Sequence, residues 1–200
     1  MQEKEPIAII KRKQHPVASE LGQVDVAAQY EYLRDRTFYY QVFPSEVCTI
    51  ELDESPPLPP NQEALRIGLQ IALMLNCSIP EEVHVMRKTL IDGSTPMSFQ
   101  RTMVIGQNGS LRHKGKKILI THVCLEEDAA AIVKEEDGNV TYRLNRLGIP
   151  LVEIGTGLLV GFTPEDVQEI AYLIGIICKS TERIKHGIGS IRQDVNVSIR

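Results

Sequence analysis

The sequence predicts an α+β fold, with a largely antiparallel sheet and helices packed on it. Apolar residues recur at helical spacing around residues 25–34, 61–76 and 163–178. Between the second and third of these, residues 82–155 run in short apolar or alternating bursts cut by Gly, Asn and Asp. That is the pattern of strands joined by turns.

In chain order, residues 7–11 form a short apolar strand. Residues 25–34 follow as a helix with Val26, Tyr30 and Leu33 on one stripe. Residues 37–43 and 48–52 read as strands, and Pro56-Pro57-Leu58-Pro59-Pro60 as a stiff connector. Asn61 caps the next helix, whose stripe is Leu65, Leu69, Ala72 and Leu73. Residues 83–91, 100–106 and 116–125 are predicted strands, and Asn108-Gly109 signals a hairpin between the last two. Residues 129–133 and 140–144 pair across Asp137-Gly138-Asn139, and residues 150–155 add another strand. Thr163-Pro164-Glu165-Asp166 opens the last helix, with Val167, Ile170, Ala171, Ile174, Ile177 and Cys178 on its buried stripe.

Two hundred residues, 42% hydrophobic and 24% charged, suffice for a buried core. The longest apolar stretch, residues 67–75, is far too short to span a bilayer, and the polar N-terminus does not resemble a secretion signal. Four widely spaced cysteines without a Cys-x-x-Cys pair fit a reduced, cytoplasmic protein. A net charge of −4 argues that any nucleic acid is gripped mainly elsewhere. Residues 195–200 alternate like a strand and end without a polar tail, so the chain reads as a piece of a longer protein.

Three groups of residues could carry chemistry. As a strand, residues 192–200 put Arg192, Asp194, Asn196, Ser198 and Arg200 on one face. That face is either a solvated polar row or a site floor, with a carboxylate and an amide oxygen for a hard cation between guanidinium groups for phosphate. Glu126-Glu127-Asp128 follows an apolar strand, and Glu153 sits inside another. Solvation and a salt bridge to Arg143 or Arg146 explain them blandly; a shared Mg²⁺ explains them functionally. Gly187-Ile188-Gly189 could offer backbone N–H groups to phosphate, but it matches neither common nucleotide fingerprint. The basic stretch from Arg112 to Lys117 is a solvated turn or a phosphate contact, and no histidine pair has metal-ligand spacing.

These residues also resemble a known family. Thr121-His122-Val123-Cys124-Leu125-Glu126-Glu127-Asp128-Ala129, Asn145-Arg146-Leu147-Gly148-Ile149-Pro150-Leu151-Val152-Glu153-Ile154 and Gly189-Ser190-Ile191-Arg192-Gln193-Asp194-Val195-Asn196-Val197-Ser198 occur in the order of the GatB/GatE family. Its members are catalytic subunits of tRNA-dependent amidotransferases. Upstream, Ser19-Glu20-Leu21-Gly22-Gln23-Val24-Asp25, Glu51-Leu52-Asp53-Glu54-Ser55-Pro56-Pro57, Val85-Met86-Arg87-Lys88-Thr89 and Phe99-Gln100-Arg101-Thr102 are similar to the archaeal-type E branch, glutamyl-tRNA(Gln) amidotransferase.

The resemblance implies that residues 1–200 are part of a catalytic cradle domain, with further catalytic strands and the tRNA-binding helical and tail domains outside this chain. It implies a carbon–nitrogen ligase reaction: ATP phosphorylates the γ-carboxyl of glutamate on tRNA(Gln), and ammonia from an asparaginase-like D subunit displaces phosphate. By motif position Glu127 and Glu153 would hold Mg²⁺, with Glu126 as a further ligand. Arg192, Asp194, Asn196 and Ser198 would face ATP, and Arg87, Lys88 and Arg101 the substrate side. Three departures stand out. No Leu-Glu-Ile-His strand opens the chain, Gly157-Leu158-Leu159-Val160-Gly161 replaces a more polar turn, and Ser98 stands where the family pattern has Gly. The competing readings are a docking or tRNA-binding module without chemistry and a ligase acting on a free amino acid.

Overall fold

The computed structural model describes residues 5–19, 21–50, 55–187 and 189–198. Along the chain run β1 (Ala8–Arg12), α1 (Val26–Leu33), β2 (Thr37–Val42), α2 (Gln62–Met74), β3 (Met86–Thr89) and β4 (Phe99–His113). β5 (Lys116–Glu127), β6 (Ala131–Glu136), β7 (Asn139–Arg143), β8 (Pro150–Thr156) and α3 (Pro164–Lys179) follow. The strands form two four-stranded sheets, ordered β1-β2-β7-β6 and β3-β4-β5-β8. Pairings β1–β2, β3–β4 and β6–β7 are antiparallel, and β2–β7 is parallel. The fold is α+β, as the sequence pattern predicts. No helix among the described residues is long and apolar enough to cross a membrane.

The chain divides into two compact units. The first comprises residues 1–60, 84–103 and 125–151; the second comprises residues 61–83, 104–124 and 152–200.

In the first unit the core lies on the β1-β2-β7-β6 sheet. Strand alternation buries Phe38, Tyr40 and Val42 of β2 and Val140 and Tyr142 of β7. The Tyr40 and Tyr142 rings stack, with centroids 5.9 Å apart. A buried phenol must place its hydroxyl, and both reach the segment joining β3 to β4. Tyr40 donates to Gly93 O at 2.7 Å and Tyr142 to Asp92 O at 3.1 Å. Arg12 adds a bond to Pro96 O at 2.7 Å, and Gln14 Nε2 donates to Thr95 O. Gly93, at φ 90°, packs against the Phe38 ring where a Cβ has no room. The aromatic sheet thus fixes the ends of β3 and β4.

In the second unit Asn61 accepts from the N–H groups of Glu63 and Ala64 and starts α2. The buried face of α2 is Ala64, Gly68, Ile71 and Ala72, continued by Leu75. A Cβ at Gly68 would stand 2.5 Å from Ile105 Cδ1, so glycine lets the helix pack closely. α3 starts with a capping box between Thr163 and Asp166 and buries Ile170 fully. Val167, Ala171, Ile174, Ile177 and Cys178 are half-buried beside it. No disulfide links the four cysteines.

Several expected elements differ. The α1 stripe of Val26, Tyr30 and Leu33 faces solvent, and Ala28 is the residue buried, because helical period fixes a stripe but not its direction. On α2, Leu73 is exposed and the buried stripe is rotated toward the smaller residues. Cys48 is irregular and residues 49–50 turn rather than extend, and Glu51 and Leu52 lie outside the described residues. The strand expected over 83–91 is only Met86–Thr89. Asn108-Gly109 makes no hairpin: both lie inside β4, and the hairpin turn is Lys114-Gly115, each with positive φ. Asn108 spends its own positive φ, 53°, within the strand, where Gly109 fits against Cys77 Sγ and Leu75 O. Residues 191–198 form no strand, since none of the described residues pairs with their backbone, and Ile199 and Arg200 lie outside the described residues.

Candidate functional site

Strand alternation in the first unit sorts its acids and bases onto two faces. β3 and β4 pair with Arg87 opposite Arg101 and Lys88 opposite Gln100. Arg87, Phe99 and Arg101 therefore share one face, and Lys88, Gln100 and Thr102 the other. The end of β5 is sorted in the same way. On the first face Arg101 Nη1 donates to both carboxylate oxygens of Glu127, at 3.0 Å each. On the second, Glu126 is buried and accepts from Lys88 Nζ at 2.9 Å and Thr102 Oγ1 at 3.3 Å. Gln100 Nε2 closes the ladder on Glu127 O at 3.2 Å. Glu126 and Glu127, adjacent in sequence, thus serve opposite faces. Asp128 accepts from Ala129 N at 2.9 Å and lies 3.6 Å from Arg146. Arg143 forks onto Glu46, which holds the Glu46 carboxyl below its ordinary range. The bland expectation for the acidic run was solvation; each of its acids instead has a basic partner.

The Arg101 face opens into a cleft of about 560 Å³. Its walls include Pro56, Met86, Arg87, Met97, Phe99 and Arg101. Arg87 lies over the Phe99 ring, 5.4 Å from its centroid.

In the second unit Glu153 projects from β8 half-exposed, with His122 Nε2 of β5 3.9 Å from its carboxylate. The His122 ring is set by Thr121, whose hydroxyl is 3.0 Å from Nδ1 and donates to Gly155 O at 3.0 Å. Gly155 lies under that ring, where any Cβ would collide with it. Spacing along the sequence could not single out His122, because its partner sits on a neighbouring strand thirty-one positions away.

Arg192, Asp194, Asn196 and Ser198 are exposed. Arg192 Nε lies 3.1 Å from Asp194 Oδ2, and Gln193 Nε2 donates to Ala171 O at 2.7 Å. Gly187 and Gly189 take positive φ, and Ile188 between them lies outside the described residues.

The basic hairpin is engaged locally. Lys114 Nζ lies 2.7 Å from Asp166 and 3.2 Å from Glu169, and His113 Nε2 3.1 and 3.2 Å from the same two. Lysine and the Thr163 N–H drive the Asp166 pKa far below that of an ordinary carboxyl, and the acids raise that of Lys114. His113, Asp166 and Glu169 have metal-ligand proximity, but the Lys114 ammonium already supplies the positive charge.

Mg²⁺ takes oxygen ligands and keeps several waters. Glu127 and Glu153 offer carboxylates that are not deeply buried, at 21% and 43% side-chain exposure, the Glu127 oxygens both accepting from Arg101. Both fit that donor set. Glu126, at 8%, is enclosed by Lys88 and Thr102 and fits it poorly.

The model of the GatB/GatE catalytic domain matches residues 10–200. Three proteins, each named as the E subunit of glutamyl-tRNA(Gln) amidotransferase, are similar throughout. That of Methanopyrus kandleri is 49% identical over 95% of this chain and 30% of its own. That of Pyrobaculum neutrophilum is 44% identical over all of this chain and 33% of its own. That of Methanocaldococcus jannaschii is 44% identical over all of this chain and 32% of its own. The chain therefore spans about a third of the length of these relatives.

Proposed function

The chain belongs to the GatB/GatE catalytic-domain family, and on that premise we propose that it provides part of the catalytic centre that amidates Glu-tRNA(Gln) to Gln-tRNA(Gln). The γ-carboxylate of the tRNA-bound glutamate attacks the terminal phosphorus of ATP and ADP leaves. Ammonia then displaces phosphate from the γ-glutamyl phosphate. The ammonia comes from an asparaginase-like D subunit, and the tRNA is gripped mainly by regions outside this chain.

The observation that carries the reading is Arg101, which lines the cleft and holds Glu127 at the same time. Bringing a carboxylate to a triphosphate gathers negative charge, so a preset guanidinium and a cation site are the fitting catalysts. Arg101 would orient the anionic substrate, and Arg87 would add charge at the cleft mouth. Lys88 acts from the other face, by anchoring Glu126 and with it the end of β5. Glu127 in the first unit and Glu153 in the second are each candidate Mg²⁺ ligands, and Mg²⁺ when bound would neutralise phosphate charge. His122, beside Glu153, would keep that carboxylate oriented. Arg192, Asp194, Asn196 and Ser198 would meet the nucleotide; their exposure leaves them accessible to it.

The test uses the full-length protein with its partner subunit. Glu127→Ala and Glu153→Ala should each abolish ATP-dependent amidation while Glu-tRNA(Gln) binding persists. Wild-type rates from both would leave a docking module. Equal turnover of free glutamate and glutamyl-tRNA by the wild type would instead indicate a free-amino-acid ligase.

A further inference from the structure

The cleft on the Arg101 face has walls of a particular chemistry. Met97, Pro56 and Pro57 are apolar, and the Arg87 guanidinium lies over the Phe99 ring. An aromatic ring with a guanidinium 5.4 Å from its centroid, edged by Met97 and two prolines, is a stacking surface for a base. The volume, about 560 Å³, is in the range of sites that hold small organic ligands. Phe99 and Arg101 are two residues apart on one strand face, so a ligand stacked at Phe99 extends along β4 toward Arg101 and Glu127.

Resting on the amidotransferase reading, we propose that this cleft seats the 3′-terminal adenosine of the aminoacylated tRNA. Its base stacks on the Arg87–Phe99 pair, and its glutamyl ester is directed toward Arg101. A terminal nucleoside fits the walls better than ATP does. A triphosphate needs several converging donors, such as a glycine-rich turn or a helix N-terminus. Among the described residues its lining has no glycine, and two of the lining positions are prolines without an N–H. What the described lining offers is a stacking surface and two guanidinium groups, Arg87 at the ring and Arg101 farther along β4, suited to a base with its aminoacyl group rather than to a triphosphate.

The test compares wild type with Phe99→Ala, Phe99→Tyr and Arg87→Ala in the full-length protein with its partner subunit. Calorimetry measures binding of a hydrolysis-resistant 3′-glutamylamido-3′-deoxyadenosine and, separately, of Mg-ATP. Steady-state assays give KM for Glu-tRNA(Gln) and for ATP. Phe99→Ala and Arg87→Ala should weaken the adenosine analogue and raise KM for Glu-tRNA(Gln) by roughly tenfold or more, the scale of a lost base stack. Phe99→Tyr, which keeps the ring, should stay close to wild type, and ATP affinity should not move. Loss of ATP affinity with unchanged analogue binding would overturn the proposal in favour of the cosubstrate. Unchanged binding of both would overturn it outright. A wild type that binds the analogue but does not amidate would count against the amidotransferase reading and leave the seat standing.

Discussion

Arg101 Nη1 lies 3.0 Å from each carboxylate oxygen of Glu127, and the two side chains are only 12% and 21% exposed. Partly shielded from water, the pair is stronger than a surface ion pair, and each partner is costly to leave alone. Glu127→Gln keeps an acceptor for Arg101 but removes the negative charge. Stability should fall by no more than about 1 kcal/mol, while on the proposed function the ATP-dependent amidation of the full-length protein falls by about 100-fold or more. Thermal unfolding and single-turnover amidation of the same preparation test both halves. A parallel loss of fold and activity would assign Glu127 a structural role alone.

The opposite face predicts the reverse pattern. Glu126 is buried and bound to Lys88 and Thr102, away from the cleft. Glu126→Ala should destabilise by about 1–3 kcal/mol, because Thr102 and Lys88 lose their acceptor. On the proposed function, the protein that remains folded should bind Mg²⁺ as tightly as wild type. Weakened Mg²⁺ affinity at a temperature where the variant is fully folded would show that Glu126 is a ligand after all.

Ser98 closes the segment between β3 and β4 at φ 63°, in the left-handed region. A residue with a Cβ pays about 1 kcal/mol or more there, which glycine avoids at the expense of a more flexible unfolded chain. Ser98→Gly should stabilise by about 0.5 kcal/mol net, raising Tm by roughly 1–2 °C in differential scanning calorimetry. A lower Tm would mean that the serine side chain contributes more than the backbone strain removes.

What could be read from the sequence divides along local and non-local lines. The Asp137-Gly138 turn, the Asn61 cap and the Thr163-Pro164 helix start were legible because a few adjacent residues determine them. Asn108-Gly109 carried an equally strong local signal, yet contacts with Cys77 and Leu75 placed it inside β4 and moved the hairpin to Lys114-Gly115. The candidate acids were legible as residue types; their division between faces was not, because it depends on the β3–β4 register. The Tyr40 and Tyr142 bonds to the Asp92-Gly93 backbone join residues about fifty positions apart, and no periodicity reports them. His122 carries no local signal for the same reason.

Those two tyrosines give a pH signature. Burial pushes both hydroxyl pKa values well above the ordinary value of 10. Below pH 10 they are protonated in the folded and unfolded chain alike, and their pKa shifts cost nothing. Above it the unfolded chain loses protons that the folded chain keeps, so the unfolded state is favoured as pH rises. Stability should therefore fall above pH 10 by up to about 1.4 kcal/mol per pH unit for each tyrosine. The double variant Tyr40→Phe, Tyr142→Phe should be less stable at pH 8, having lost the bonds to Gly93 O and Asp92 O. Between pH 10 and 11 its urea midpoint should decline less steeply than that of wild type. Equal slopes would show that the phenols ionise in place, and that the aromatic sheet admits water where the structure shows it closed.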